Sequence, residues 1–370
     1  MSIVAGREKS TRPDEVMSTL HVPVAPAINT SPNITINPAP KYHAPWWLKG
    51  GHLQTIYPPL SARRPMIKYK RERWETTPNG KPDGDFIDID RLIETPNTAG
   101  SSSAKKAPML VVFHGLEGSS NSIYALNLMA AARQRGWRGM VPHFRGCSGE
   151  INRLPRAYHS GDSTEIDWIL RRIKAEAPDQ PVYVAAISLG GNASLKWLGE
   201  QGAAAGDIVQ ALAAISAPVD LSASGHALDQ GFCKLYTKVF LSTMKQTALK
   251  KLVLHPGIFK QSIVEAAQSL HAFDDEVTAP LHGFRDADDY WSRASAKPGL
   301  MNIQVPTLLV NAQNDPFLPA SSLPTKSEVS PHVTLDFPLD GGHVGFLSAP
   351  FPGNGGWMPQ RVFHFFEHGK

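Results

Sequence analysis

The apolar run Val182-Tyr183-Val184-Ala185-Ala186-Ile187 passes without a break into Ser188-Leu189-Gly190-Gly191-Asn192 and a helical stretch ending near Gly199. A short strand with no polar face must be covered on both sides, which is the environment of a parallel sheet flanked by helices. Comparable runs recur at Pro108–Phe113, Gly139–Phe144, Ile208–Ile215, Thr307–Asn311 and Val333–Phe337. Between them lie two helical segments, Ile123–Arg135, stopped by Gly136, and Asp162–Ala175. In the second, Ile166, Ile169, Leu170 and Ile173 fall at i, i+3, i+4 and i+7, the spacing of one helical face. A last helix is expected at Gln360–His368. Such alternation predicts an α/β fold, a mostly parallel central sheet with helices on both faces. Tyr69–Thr76 and Asp85–Asp90, joined through Pro78-Asn79-Gly80, read as an antiparallel pair.

The rhythm breaks from about 220 to 298, where helical signals occur without a convincing strand. An insertion between two late strands would sit over the carboxyl ends of the sheet, where ligands bind in open α/β folds. The segment therefore reads as a helical cap. Residues 1–40 are rich in Pro, Ser, Thr and Asn without periodicity and read as a disordered tail. That leaves 41–370 as one domain carrying the cap.

Charge and cysteine content narrow the function classes. The net charge of +4 over 370 residues argues against a nucleic-acid partner, which would call for a clustered basic face. A local basic stretch, Arg63, Arg64, Lys68, Lys70, Arg71 and Arg73, reads as a solvated loop and edge strand, with an anionic-lipid patch as the alternative. Two cysteines, Cys147 and Cys233, make no disulfide framework and no metal-ligand spacing, so neither a metal nor an oxidising compartment is expected. No Walker A or dinucleotide glycine pattern opens a helix, so no cofactor is expected. Met1–Val16 has no apolar signal region and no run of 18 apolar residues occurs. The sequence thus points to the cytoplasm and leaves peripheral membrane contact open.

The chemistry concentrates at the strand-to-helix junction. A serine on a sharp turn between strand and helix needs small neighbours two residues away, and Ala186 and Gly190 flank Ser188 in this way. The plainer alternative is a serine capping an ordinary helix. A serine hydroxyl becomes a nucleophile only with a base to take its proton, and that base is a histidine oriented by a carboxylate. His343 lies in the glycine-rich loop Asp340-Gly341-Gly342-His343-Val344-Gly345-Phe346, after the last strand. Asp315 follows the apolar strand Thr307–Asn311 directly. Asp220 and Asp340 are the rival acids. The N–H of Leu189 and that of Leu116, in His114-Gly115-Leu116-Glu117-Gly118, are the expected oxyanion donors. His114 reads as a structural histidine, Cys147 as a loop residue, and Trp46 and Trp47 as core anchors.

Several segments then carry a family resemblance: Pro45-Trp46-Trp47-Leu48 with His52-Leu53-Gln54-Thr55, His114 to Gly118, Arg145-Gly146-Cys147-Ser148-Gly149, Tyr158-His159-Ser160-Gly161, Ser188 to Asn192, and Thr278-Ala279-Pro280 through Gly283-Phe284. From about residue 42 onward the chain resembles the YheT-like hydrolases, relatives of the eukaryotic abhydrolase-domain lipases and esterases. Ala186 stands where the elbow usually has glycine, and Gly50-Gly51 where Asn-Pro is more usual. The resemblance implies an α/β-hydrolase fold and a carboxylic-ester hydrolase acting on a small-molecule ester, with the triad on Ser188, Asp315 and His343. An acyltransferase on the same triad and a non-catalytic binding protein on this fold are the alternatives.

Overall fold

The computed structural model describes residues 38–61, 63–77, 80–93 and 107–369. Residues 1–37 of the expected tail and Pro78-Asn79 of the expected turn-rich connection lie outside the described residues. Pro40, at the end of that segment, accepts a hydrogen bond at its carbonyl from Trp357 Nε1 at 3.0 Å.

The sheet has eight strands: β1 (Tyr69–Glu75), β2 (Phe86–Leu92), β3 (Met109–Phe113), β4 (Arg138–Pro142), β5 (Val182–Ile187), β6 (Ala211–Ile215), β7 (Thr307–Val310) and β8 (Val333–Asp336). Their spatial order is β1-β2-β4-β3-β5-β6-β7-β8. β1 and β2 are antiparallel, β2 meets β4 antiparallel, and the remaining pairs are parallel. Registers Phe113↔Ala186, Ile187↔Ile215 and Ile215↔Val310 bring the carboxyl ends of β3, β5, β6 and β7 close to one level. The residues that follow these strands therefore emerge along one edge of the sheet.

Alternation along the buried strands divides the core into two layers. Val111, Phe113, Val184, Ala186, Leu212 and Ala214 pack toward Ile166, Ile169, Ile173, Leu195 and Trp197 of the helices Ser163–Glu176 and Leu189–Gln201. Leu110, Val112, Ala185, Ile187, Ala213 and Ile215 pack toward Leu128, Met129, Val362 and Phe363 of the helices Ile123–Gln134 and Trp357–His368. Because both faces are covered, these strands carry no polar alternation, and their sequence reads as continuous apolar runs.

Between β6 and β7 run the helices Leu221–Leu228, Lys234–Leu254, Gln261–Ala266, Leu270–Phe273, Ala279–His282 and Ala287–Ala294. They have their own apolar cluster, including Leu241, Val264, Phe273 and Trp291, which Phe317 and Leu318 join from the segment after β7.

Element ends depart modestly from the sequence. β6 starts at Ala211, because Gly202–Asp207 forms a 3-10 turn and Ile208 bonds back into it. The last helix starts at Trp357, with Pro359 in its first turn, where a missing N–H forfeits no intrahelical bond. A helix at Gly51–Ser61, carrying Pro58 and Pro59, was not anticipated. Trp46 is no core anchor: it is 83% exposed while Leu48 and Pro45 face inward. The turn closed by Leu48 N to Pro45 O at 3.0 Å throws the indole outward. Trp47 meets Tyr57 and Phe351 edge-on. In the basic stretch, Arg71 forks onto Asp90 and Arg73 onto Asp88 through pairs of 2.8–2.9 Å bonds across β1 and β2.

Candidate active site

Ser188 sits where β5 ends and the helix Leu189–Gln201 begins, with φ 51° and ψ −119°. A non-glycine residue is held there only when its surroundings over-determine it. Its N–H donates to the Ile215 carbonyl at 2.9 Å, fixing it to the end of β6. The next turn leaves no room: a Cβ on Gly190 would lie 2.5 Å from the His114 carbonyl oxygen. Ala186, on the other side, is wholly buried in the first core layer, and its methyl is accommodated there.

His343 bonds on both sides. Its Nε2 lies 2.9 Å from Ser188 Oγ and its Nδ1 lies 2.8 Å from Asp315 Oδ2. The Asp315 carboxylate has no exposed surface, and its Oδ1 accepts from Phe317 N at 2.8 Å. The Phe317 ring lies 4.3 Å from the imidazole, centroid to centroid. The rival acids are engaged elsewhere. Asp220 caps the helix Leu221–Leu228 by accepting from Ala223 N at 3.0 Å. Asp340 accepts from Asn314 Nδ2 at 2.9 Å.

Leu116 and Leu189 line one cavity with Ser188 and His343. Leu189 opens a helix, so its N–H has no intrahelical acceptor. The loop carrying Leu116 is tightly held: Gly118 N donates to Gly115 O at 2.9 Å and Gly115 N to Tyr124 Oη at 3.0 Å. Glu117 has φ 54°. His114 beneath it is fully buried. Phe144 N donates to its Nε2 at 3.1 Å, so the ring proton sits on Nδ1, 2.8 Å from the Gly115 carbonyl. Burial pushes the pKa of His114 down to about 3 and keeps the ring neutral.

The same cavity is walled by apolar side chains of the helices between β6 and β7, among them Phe240, Met244, Phe273 and Trp291. Asn192, in the helix Leu189–Gln201, ties the segment between β6 and β7 to the core. Its amide donates to Ser160 O and Ala294 O at 2.8 Å, and its Oδ1 accepts from Ala296 N at 2.9 Å. Arg145 anchors the neighbouring loop on Asp85 and Glu165, at 2.6 and 2.5 Å. Cys147 in that loop has its thiol pushed well above the ordinary range by burial, the opposite of an activated nucleophile. Among the described residues, no group of His, Cys, Asp or Glu is disposed to hold a metal ion, and no helix is long and apolar enough to cross a membrane.

Residues 108–350 match the family model described as the alpha/beta hydrolase fold. Over 314 residues the chain is 38% identical to YheT of Escherichia coli (strain K12), a protein named as an inferred esterase, covering 84% of this chain and 88% of that one. This chain belongs to the YheT-like branch of the alpha/beta hydrolase family. It is also 28% identical over 338 residues to phospholipase ABHD3 of Homo sapiens, covering 89% of this chain and 80% of that one. The embryogenesis-associated protein EMB8 of Picea glauca is 25% identical over 342 residues, covering 89% and 72%.

Within this YheT-like chain, sequence reasoning overlooked a further set of groups around the histidine and acid loops. Gln54, Thr55 and Asn314 bond to those loops, and Tyr158 bonds to the loop of Leu116. Gln54, Thr55 and Tyr158 lie in segments that carry the family resemblance, which was the one available signal.

Proposed function

We propose that this protein hydrolyses carboxylic esters through an acyl-enzyme on Ser188, with His343 as base and Asp315 as the orienting acid. The observation that carries the proposal is the position of one imidazole, bonded to Ser188 Oγ through Nε2 and to Asp315 through Nδ1. The Asp315 bond sets the tautomer that leaves Nε2 free to take a proton. Ser188 Oγ attacks the ester carbonyl while its proton passes to Nε2. The resulting imidazolium is stabilised by Asp315, and the oxyanion receives the N–H groups of Leu189 and Leu116. Collapse of the tetrahedral species expels the alcohol, which takes the proton from Nε2. Water then repeats the sequence and releases the acid, restoring Ser188.

The segment 220–298 acts in this proposal as the cap of a single domain running from about residue 41. Its apolar wall receives the acyl chain, since such a surface binds hydrocarbon and excludes the water that would weaken the electrostatics. Relatives named as an esterase and as a phospholipase support an acyl ester as the substrate class.

The test is a panel of p-nitrophenyl esters with wild type, Ser188→Ala and Asp315→Asn. Ser188→Ala is expected to lose turnover by several orders of magnitude while remaining folded. Asp315→Asn is expected to lose about ten-thousand-fold, the loss seen when a triad acid becomes its amide. A fluorophosphonate should label Ser188 in the wild type and leave Ser188→Ala unlabelled. Labelling elsewhere, with full activity in Ser188→Ala, overturns the assignment.

A further inference from the structure

The helix Gly51–Ser61 lies outside the sheet and contributes no group to the proposed chemistry, yet its first turn is pressed into the loops that carry Asp315 and His343. A Cβ on Gly51 would lie 1.9 Å from the Asn314 carbonyl oxygen, and one on Gly342 would lie 2.7 Å from the Gly51 carbonyl oxygen. At the centre of this contact is Gln54, 1% exposed. Its Nε2 donates to Leu48 O at 2.9 Å. Its Oε1 accepts from two directions, from Asn314 Nδ2 at 2.9 Å and from Gly341 N at 2.8 Å.

Asn314 immediately precedes Asp315, and Gly341 stands two residues before His343. One amide oxygen therefore ties the acid loop to the histidine loop. The tie is doubled by Asn314 Oδ1, which accepts from Gly342 N at 3.0 Å. Thr55 completes it: Thr55 Oγ1 accepts from the backbone N–H of His343 at 2.9 Å and donates to Gly51 O at 2.7 Å.

We infer that Gln54, with Thr55 as its partner, is a positioning residue that sets the distance between His343 and Asp315. The inference rests on the triad proposed above. A primary amide suits the task, because it offers two lone pairs to the two loops and an N–H to its own segment at once. Without it, the donors of Asn314 and Gly341 lose a buried acceptor, and each loop is free to relax toward another. A misplacement of about 1 Å in a reacting group costs roughly a hundredfold in rate.

Gln54→Met keeps the volume and removes every hydrogen bond of the side chain, the longer one of 3.4 Å from Nε2 to Asp340 Oδ1 included. The expected result is a fall in kcat of about a hundredfold per fluorophosphonate-titrated site, with KM within about twofold. Titration of sites removes any contribution from unfolded protein. In parallel, the deshielded proton of His343 Nδ1, assigned by its absence in His343→Ala, is expected to shift or broaden in the proton NMR spectrum of Gln54→Met. Thr55→Val, a near-isosteric change at a half-buried site, gives a second reading if Gln54→Met does not fold, with a fall in kcat of about tenfold. Unchanged kcat per site and an unchanged His343 resonance in whichever variant folds overturn the inference. Activity surviving in Ser188→Ala would instead overturn the triad, and the His343 resonance still judges the brace on its own.

Discussion

The hydroxyl of Tyr158 joins the two ends of one residue: it donates to the carboxylate of Glu117 at 2.7 Å and accepts from the backbone N–H of Glu117 at 2.9 Å. Glu117 has the left-handed φ of 54° and follows Leu116, whose N–H is the proposed second oxyanion donor. The bridge holds that strained residue, and with it the loop that carries the Leu116 N–H. Loss of one oxyanion donor in an acyl-transfer enzyme costs about 100–1,000-fold in kcat. Tyr158→Phe leaves the donor present but poorly held, so a smaller loss, about 10–100-fold in kcat with little change in KM, is expected on that scale. Steady-state kinetics on one ester decide it. Unchanged kcat would remove Tyr158 from any role in the oxyanion loop.

Phe240 projects from the helix Lys234–Leu254 into the cavity shared with Ser188 and packs edge-on against Phe317. Truncation to alanine extends the apolar space away from Ser188. The preferred acyl chain of a p-nitrophenyl ester series is expected to grow by two or more carbons. Phe240 is only half-buried, so the stability cost should fall below the roughly 3–5 kcal/mol of a fully buried Phe→Ala change. An unaltered chain-length profile would mean that the acyl group lies elsewhere.

The strands buried on both faces were legible because their environment leaves no room for polar residues, and Val182–Ile187 has the same bounds in sequence and in structure. That Ser188, Asp315 and His343 would meet in one hydrogen-bonded chain could be expected, because each follows a strand and their order is that of the resembling family; their catalytic roles are part of the proposal. The Gly51–Ser61 helix was hidden by its two prolines, which break a helical pattern in sequence although Pro58 packs inward as part of the helix. Gln54 was hidden for another reason. Its partners stand 260 and 287 residues away, and a buried amide is recognisable only when the groups it satisfies are in view. Trp46 misled because aromatic content says nothing about the direction a turn takes.

His114 makes a stability test with a definite sign. Phe144 N donates to Nε2 and Nδ1–H donates to Gly115 O, so the neutral ring satisfies both nitrogens with no surface exposed. Protonation would aim a second N–H at that of Phe144, and burial holds the pKa down to about 3. In the unfolded chain a histidine titrates near 6.5. Below about pH 6.5 the unfolded state therefore holds one more proton than the folded state, so stability falls as pH falls, down to about pH 3. Above 6.5 the residue contributes nothing to the slope. Between pH 7 and pH 5 the loss from this group is about 2 kcal/mol. His282, also held down to about 3 by burial, remains in both proteins and cancels from a comparison. Urea unfolding of wild type and His114→Asn at the two pH values is the measurement. The wild type should lose about 2 kcal/mol more than the variant over that interval, whatever the absolute stability of the variant. Equal losses would mean that His114 takes up a proton within the folded protein near the ordinary pH, and the tautomer assigned from Phe144 would then be wrong.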